Sequence, residues 1–205
     1  MNEYIIETVV RGDIDWSQVD SIENFHYPWK KGKPTGLKFR AVCDREILYF
    51  RFDVKCDKIN VKRGGSVLSD IEESERVELF FCRDELLNPY YCLEMTPDKQ
   101  VMDFEARYHR IFDKTKHWPD DLEIKSERNE GGYFLEGKLQ LSTLKRLGLL
   151  NKGTIFVGVY RAECLGWDEE GRAKMNWVSW VDPKTAVEDF HIWETFGRWI
   201  MDYGQ

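Results

Sequence analysis

Apolar and polar residues alternate with a period of two along most of the chain. Leu37, Phe39, Ala41 and Cys43 alternate with Lys38, Arg40 and Val42. Beyond the Asp44-Arg45 turn, Leu48, Phe50, Phe52 and Val54 alternate with Tyr49, Arg51 and Asp53. Successive side chains of a strand point to opposite faces, so the segment reads as a hairpin with one buried face and one more polar face. Similar stretches predict strands at 4–10, 76–83, 90–96, 101–108, 122–127, 133–141, 155–164, 176–180 and 198–203. Turn residues separate them at the spacing of an all-β fold. Helix is scarce. Ser142 can cap a short helix ended by Gly148, and 15–19 reads as a turn with Trp16, Val19 and Ile22 on one side. The glycine-bearing stretches 55–74 and 165–174 read as loops. The expectation is one all-β domain over residues 1–205, a jelly-roll-like antiparallel β-sandwich of about ten strands with one or two short helices.

Composition narrows the functions. The chain has 205 residues, 42% hydrophobic and 33% charged, which supports a packed core and excludes global disorder. Aromatic residues reach 14%, so either the core is ring-rich or some surface stacks on flat ligands. The net charge of −7 gives a phosphate backbone no broad reason to bind, and nucleic acid is discounted. No apolar run approaches the roughly 20 residues of a membrane-spanning helix. The start, Met1-Asn2-Glu3-Tyr4-Ile5, lacks a signal-peptide pattern, the expectation for a cytoplasmic chain unless a leader has been removed. Cys43, Cys56, Cys82, Cys92 and Cys164 are odd in number and include no CxxC pair. They read as buried thiols, with room for one bridge.

Polar residues converge between Glu75 and Tyr108. Alternation puts Glu78, Phe80 and Cys82 on one face of their strand, and Tyr90, Cys92 and Glu94 on one face of the next. A four-residue turn at 97–100 would then pair Glu94 with Asp103, Cys92 with Glu105 and Tyr90 with Arg107. One surface would carry Glu78, Glu94, Asp103, Glu105 and Arg107. Like charges directly opposite destabilise a sheet, so an arginine, a cation or a polyhydroxyl ligand is expected among them. A solvated acidic face is the ordinary alternative. Arg161, in register with Ile155, Val157 and Val159, calls for an anionic partner, one of these carboxylates being the natural candidate. Trp177 and Trp180 are three apart, so at most one is core and the other can stack on a sugar ring. His191 lies near Trp193 in the same C-terminal stretch. His109 and His117 have no metal-motif spacing.

These residues carry a resemblance. The order Glu75-Arg76-Val77-Glu78-Leu79-Phe80-Phe81, Tyr90-Tyr91-Cys92-Leu93-Glu94-Met95, Trp180-Val181-Asp182-Pro183, Phe190-His191 and Phe196-Gly197 resembles the family 9 carbohydrate-binding modules over nearly the whole chain. The resemblance implies a non-catalytic β-sandwich that binds sugar units at a glycan end, often with structural calcium. It implies that Glu78 is a binding-site glutamate and Arg161 a polar site residue. The family's two clamping tryptophans fall at the Ile71-Glu72-Glu73 and Asp189-Phe190-His191 stretches, leaving stacking to Phe190, Trp193 or Trp180. The ligand-binding candidates are therefore Glu78, Glu94, Asp103, Arg107, Arg161, Trp177, Trp180, His191 and Trp193, with no catalytic residue assigned.

Two other functions follow from the residues. A glycan-acting hydrolase could use paired carboxylates, Glu78 and Glu94 foremost. A haem-binding sandwich could use Met95, Met102 or His109, although the methionines occupy apolar-face positions that read as core. Structural Ca2+ could be held by Asp53, Asp57, Asp70, Glu72 or Glu73 around the long loop, though no EF-hand spacing is present.

Overall fold

The structure, a computed structural model, describes residues 1–12 and 14–202. Thirteen strands join in one curled sheet: β1 (Glu3–Thr8), β2 (Leu37–Cys43), β3 (Ile47–Lys55), β4 (Arg76–Cys82), β5 (Tyr90–Met95), β6 (Val101–Arg107), β7 (Ile111–Asp113), β8 (Glu123–Asn129), β9 (Gly132–Gln140), β10 (Leu150–Asn151), β11 (Thr154–Trp167), β12 (Ala173–Ser179) and β13 (Gly197–Asp202). The spatial order is β7-β6-β5-β4-β11-β13-β1-β2-β3-β9-β8, with β10 and β12 also paired to β11. β1 runs parallel to both β13 and β2, so the sheet is mixed, where a wholly antiparallel one was expected.

The hairpin β2–β3 forms as its alternation predicts, with Phe39 opposite Phe52 and Ala41 opposite Phe50. Asp44 closes its turn by accepting the N–H groups of Glu46 and Ile47, both at 2.7 Å. Phe39 stacks on Trp199 of β13, which meets Phe81 of β4 edge-on. Strands from both ends of the sheet path thus share one core. Helix α1 (Val67–Glu72) lies inside the stretch read as loop. Its signal is Ser66, whose hydroxyl accepts the Ser69 N–H as an N-cap. Helix α2 (Leu141–Arg146) begins two residues before its expected start, with Gln140 and not Ser142 at the N-cap position. The expected strand end at Tyr203 lies outside the described residues.

β4 and β5 are buried on both faces. Val77, Leu79, Phe81, Leu93 and Met95 enter the main core, while Phe80, Cys82, Tyr90, Cys92, Met102 and Phe104 form a second cluster with Phe190 and Phe196. Glu78 faces Glu94 across the β4–β5 pair as expected. The β5–β6 register differs by one residue. Met95 pairs with Val101, so the loop has five residues, not four, and Lys99 takes a left-handed φ of 65° within it. Its first and last residues are tied by the Thr96 N–H donating to Gln100 O at 3.0 Å. A one-residue slip moves every side chain to the other face. Glu94 therefore opposes Met102, and Asp103, Glu105 and Arg107 leave the Glu78 surface. Asp103 accepts the Trp118 N–H, while Glu105 is held by Tyr91, Arg107 and Lys116.

Core packing is tight where β13 begins. A Cβ on Gly197 would lie 2.4 Å from the Trp180 ring and 3.0 Å from Asn2 O. Gly197→Ala is expected to cost about 1–3 kcal/mol by overpacking. It should lower the urea midpoint without changing the slope of the transition, and an unchanged midpoint would show that the ring can move aside.

Candidate functional site

The second cluster borders a cavity of about 340 Å³ lined by side chains of β4, β5, β6, β7, β12 and the loops around Trp29, Arg110 and Phe190. Its floor is polar. Alternation along β4 places Arg76, Glu78 and Phe80 on one face, and register brings Glu94 opposite Glu78. Arg76 Nε lies 2.7 Å from Glu94 Oε2 and 2.8 Å from Glu78 Oε1. Arg76 Nη1 donates to Glu72 O at 2.8 Å, at the end of α1. All three side chains are buried, Glu78 at 2% exposure and Glu94 at 5%. Nε carries one hydrogen, and it is directed at Glu94; Glu78 Oε1 is buried without a hydrogen-bond partner. Burial, and secondarily the Glu94 charge, push the Glu78 carboxyl up to about 8. Burial also raises Glu94, against the opposing pull of Arg76.

The walls are aromatic. Phe190 stacks on Tyr160 with ring centres 4.2 Å apart, and Trp29 and Trp177 meet Phe190 at 5.2 and 5.7 Å. Arg76 also lies over the Trp177 ring at 5.6 Å. Both tryptophans are half-buried, so part of each indole is open to solvent. On the opposite side Phe112 packs against Phe104 and His191. His191 Nδ1 lies 3.0 Å from the Tyr90 hydroxyl. Burial first, and the nearby Arg110 charge second, lower the His191 imidazole to about 4. A neutral ring carries a single N–H, so one ring nitrogen donates and the other accepts. Ion pairs fix the rim: Lys114 to Glu72 at 2.9 Å, Arg110 to Asp189 at 3.2 Å and His109 to Asp189 at 2.6 Å.

Of the nine residues expected at a ligand surface, Glu78, Glu94, Trp177 and His191 meet at this cavity. The others lie elsewhere. Arg161 opposes Val77, so it points to the main-core side of β4, where its Nε donates to Glu75 at 2.7 Å. That carboxylate also receives the Tyr133 hydroxyl and the Cys164 N–H. The partners of Arg161 are therefore Glu75 and, at 3.5 Å, Glu163, and not Glu78, Glu94, Asp103 or Glu105. Trp180 is buried in the main core against Gly197. Trp193 packs on Phe156 and Phe196, outside the lining. Asp103 and Arg107 are turned away by the register described above. Sequence reasoning missed Arg76, whose signal was its place two residues before Glu78, and Trp29, Arg110, Phe112 and Lys114, which arrive from distant segments.

Four of the five carboxylates considered for calcium are engaged by protein donors. Asp53 pairs with Arg40 and Arg51, Asp70 accepts the N–H groups of Gly64 and Gly65, Glu72 holds Lys114, and Glu73 accepts the Ala173 N–H. Among the described residues no group of three or more His, Cys, Asp or Glu side chains could hold a metal ion. Of the candidate haem ligands, Met95 is packed in the main core, Met102 is buried in the second cluster, and His109 Nε2 is hydrogen-bonded to Asp189.

The family model described as carbohydrate family 9 binding domain-like matches residues 6–202. The chain belongs to that family. Among solved structures, a candidate carbohydrate-binding protein from Bacteroides uniformis is similar with a TM-score of 0.72 at 13% identity, covering 98% of this chain and 99% of that one. A carbohydrate binding module family 9 from Caldicellulosiruptor kristjanssonii in complex with cellotriose is similar at TM-score 0.64 and 15% identity, covering 100% and 95% of the two chains. The same kind of module from that organism, in complex with glucose, gives 0.60 and 14%, covering 100% and 97%. At these identities the likeness is one of fold. No curated protein sequence matches the chain.

In this family 9-like chain, Arg161 and Glu75 form a buried pair at 1% side-chain exposure each. Removing one partner strands the other charge, so Arg161→Ala is expected to destabilise by about 3–5 kcal/mol. Chemical denaturation measures it, and a loss under 1 kcal/mol would contradict a structural role for the pair.

Proposed function

We propose that the chain is a non-catalytic carbohydrate-binding protein whose sugar site is the cavity over Arg76, Glu78 and Glu94. The observation that carries this reading is the meeting of half-buried indoles with buried charged groups in one cavity. An aromatic face suits the C–H patch of a pyranose, and carboxylate and guanidinium groups match its hydroxyls. The cavity volume lies in the range of small-ligand sites. Family membership supports the reading, as do similar folds in complex with glucose and cellotriose. Trp29, Trp177 and Phe190 supply the stacking surface where the family resemblance leaves no two-tryptophan clamp. The His191 imidazole adds a further polar group to the lining.

Hydrolysis fits less well. Glycosidase carboxylates act on opposite sides of the scissile bond. Here Glu78 and Glu94 both contact a single guanidinium nitrogen at the buried floor.

Calorimetry against glucose, cellotriose and a panel of mono- and oligosaccharides tests the reading. Binding of about micromolar to millimolar strength is expected. Trp177→Ala should weaken it at least about tenfold, the scale of one lost aromatic contact. Arg107→Ala, on the opposite face, should leave it unchanged. Absence of heat with every sugar, or equal binding by Trp177→Ala, would contradict the assignment.

A further inference from the structure

We infer that Glu78 and Glu94 hold one proton between them, that it rests on Glu78, and that Glu78 donates it as a hydrogen bond to an oxygen of an uncharged polyol. This rests on reading the cavity as a sugar site and specifies the chemical class the site prefers.

Charge counting at the floor comes first. Two ionised carboxylates over one guanidinium would leave a net negative charge in a buried site, a costly arrangement that a proton relieves. The groups facing Glu78 offer no other relief. From its own strand there is Arg76, and from β5 there is Glu94. From β11 there is Tyr160, whose hydroxyl is engaged with Thr195. Of the cations around the cavity, Lys114 is held by Glu72 and Arg110 by Asp189. His191 is neutral, and Glu188 adds a further negative charge to the lining.

Geometry then places the proton. The single hydrogen on Arg76 Nε goes to Glu94 Oε2, which makes Glu94 the better-stabilised anion. Glu78 Oε1, sealed from solvent and 2.8 Å from Arg76 Nε, receives no hydrogen from it, while the Glu78 side chain lines the cavity floor. Oε1 faces a cation, so the proton belongs on Oε2, which makes the carboxyl a donor toward the cavity. A ligand hydroxyl or ring oxygen satisfies it. The direction of the Glu78 shift agrees, since burial and the Glu94 charge both favour the neutral acid. A uronate would set a second negative charge over Glu94, with both rim cations already paired, so the site favours neutral sugars.

Two measurements separate this inference from the reading it rests on. In the ligand-free protein, carboxyl NMR with 13C-labelled glutamate should show one side chain that titrates above pH 7. That signal should be absent in Glu78→Gln and moved below pH 6 in Glu94→Gln. Ionisation of every glutamate carboxyl below pH 6 in the wild type would overturn the shared proton. In calorimetry with cellotriose, affinity should be flat between pH 5.5 and 7 and fall at least tenfold by pH 9.5, circular dichroism confirming the fold at each pH. Glu78→Gln, with no carboxyl proton to lose at that position, should show no alkaline loss between pH 7 and 9.5. Glucuronic acid should bind at least tenfold more weakly than glucose. A tenfold alkaline loss that persists in Glu78→Gln would place the titration elsewhere and overturn the donor role. Observation of the alkaline carboxyl without binding of any sugar would sink the sugar reading, and the donated bond with it, while sustaining the shared proton.

Discussion

Two glutamates directly opposite one another in an antiparallel pair, buried over one arginine, are the constraint around which this half of the molecule is arranged. Glu78 and Glu94 are brought together by the β4–β5 register. Arg76 reaches both because it lies two residues before Glu78 and so shares its face. Arg76 is itself held by carbonyl oxygens of the last two residues of α1 and of Ser74 just after it. The aromatic wall of Trp29, Trp177 and Phe190 and the segments bearing Phe112 and His191 enclose this triad. In so enclosed a site each unsatisfied polar atom is costly, and each well-aimed contact counts for more than it would in water. A ligand that hydrogen-bonds the floor and covers the rings resolves both conditions at once.

The residue just before β4 carries a charged group with a different outcome. Glu75 and Arg76 are adjacent, yet they serve opposite faces of the sheet. Glu75 is fully satisfied by Arg161, Tyr133 and Cys164 on the main-core side, leaving it nothing to offer a ligand. The floor of the cavity is incompletely satisfied, because one arginine hydrogen cannot serve two carboxylates. The contrast separates a buried charge pair that fixes the fold from one that is left available for recognition.

Much of the fold was legible because alternation is a local signal. The β2–β3 hairpin and the pairing of Glu78 with Glu94 follow from residue identity and a period of two. What failed was set by features the pattern does not encode. A five-residue loop with Lys99 in the left-handed region shifted β6 by one residue, enough to send Asp103, Glu105 and Arg107 to the far face. Parallel pairing of β1 joins Glu3–Thr8 to strands at both ends of the chain, a long-range choice invisible in a local pattern. β7 and β10, of three and two residues, are too short to show a period. At the site, Glu78, Glu94, Trp177 and His191 were readable from strand phase and resemblance. Trp29, Arg110, Phe112 and Lys114 were not, because only the tertiary fold brings their segments together. Arg161 and Trp180 carried the chemistry of a site but the phase of a core.

The central claim, that a sugar sits on the indoles above the Arg76–Glu78–Glu94 floor, is tested most directly by the tryptophan indole N–H resonances in 15N-labelled protein during a cellotriose titration. Trp29 and Trp177 line the cavity, whereas Trp118, Trp180 and Trp199 are core and Trp16 lies in a separate surface groove. The account predicts saturable shifts at Trp29 and Trp177 with the other six, Trp167 and Trp193 included, unmoved. Saturable shifts at Trp16, with Trp29 and Trp177 silent, would contradict it.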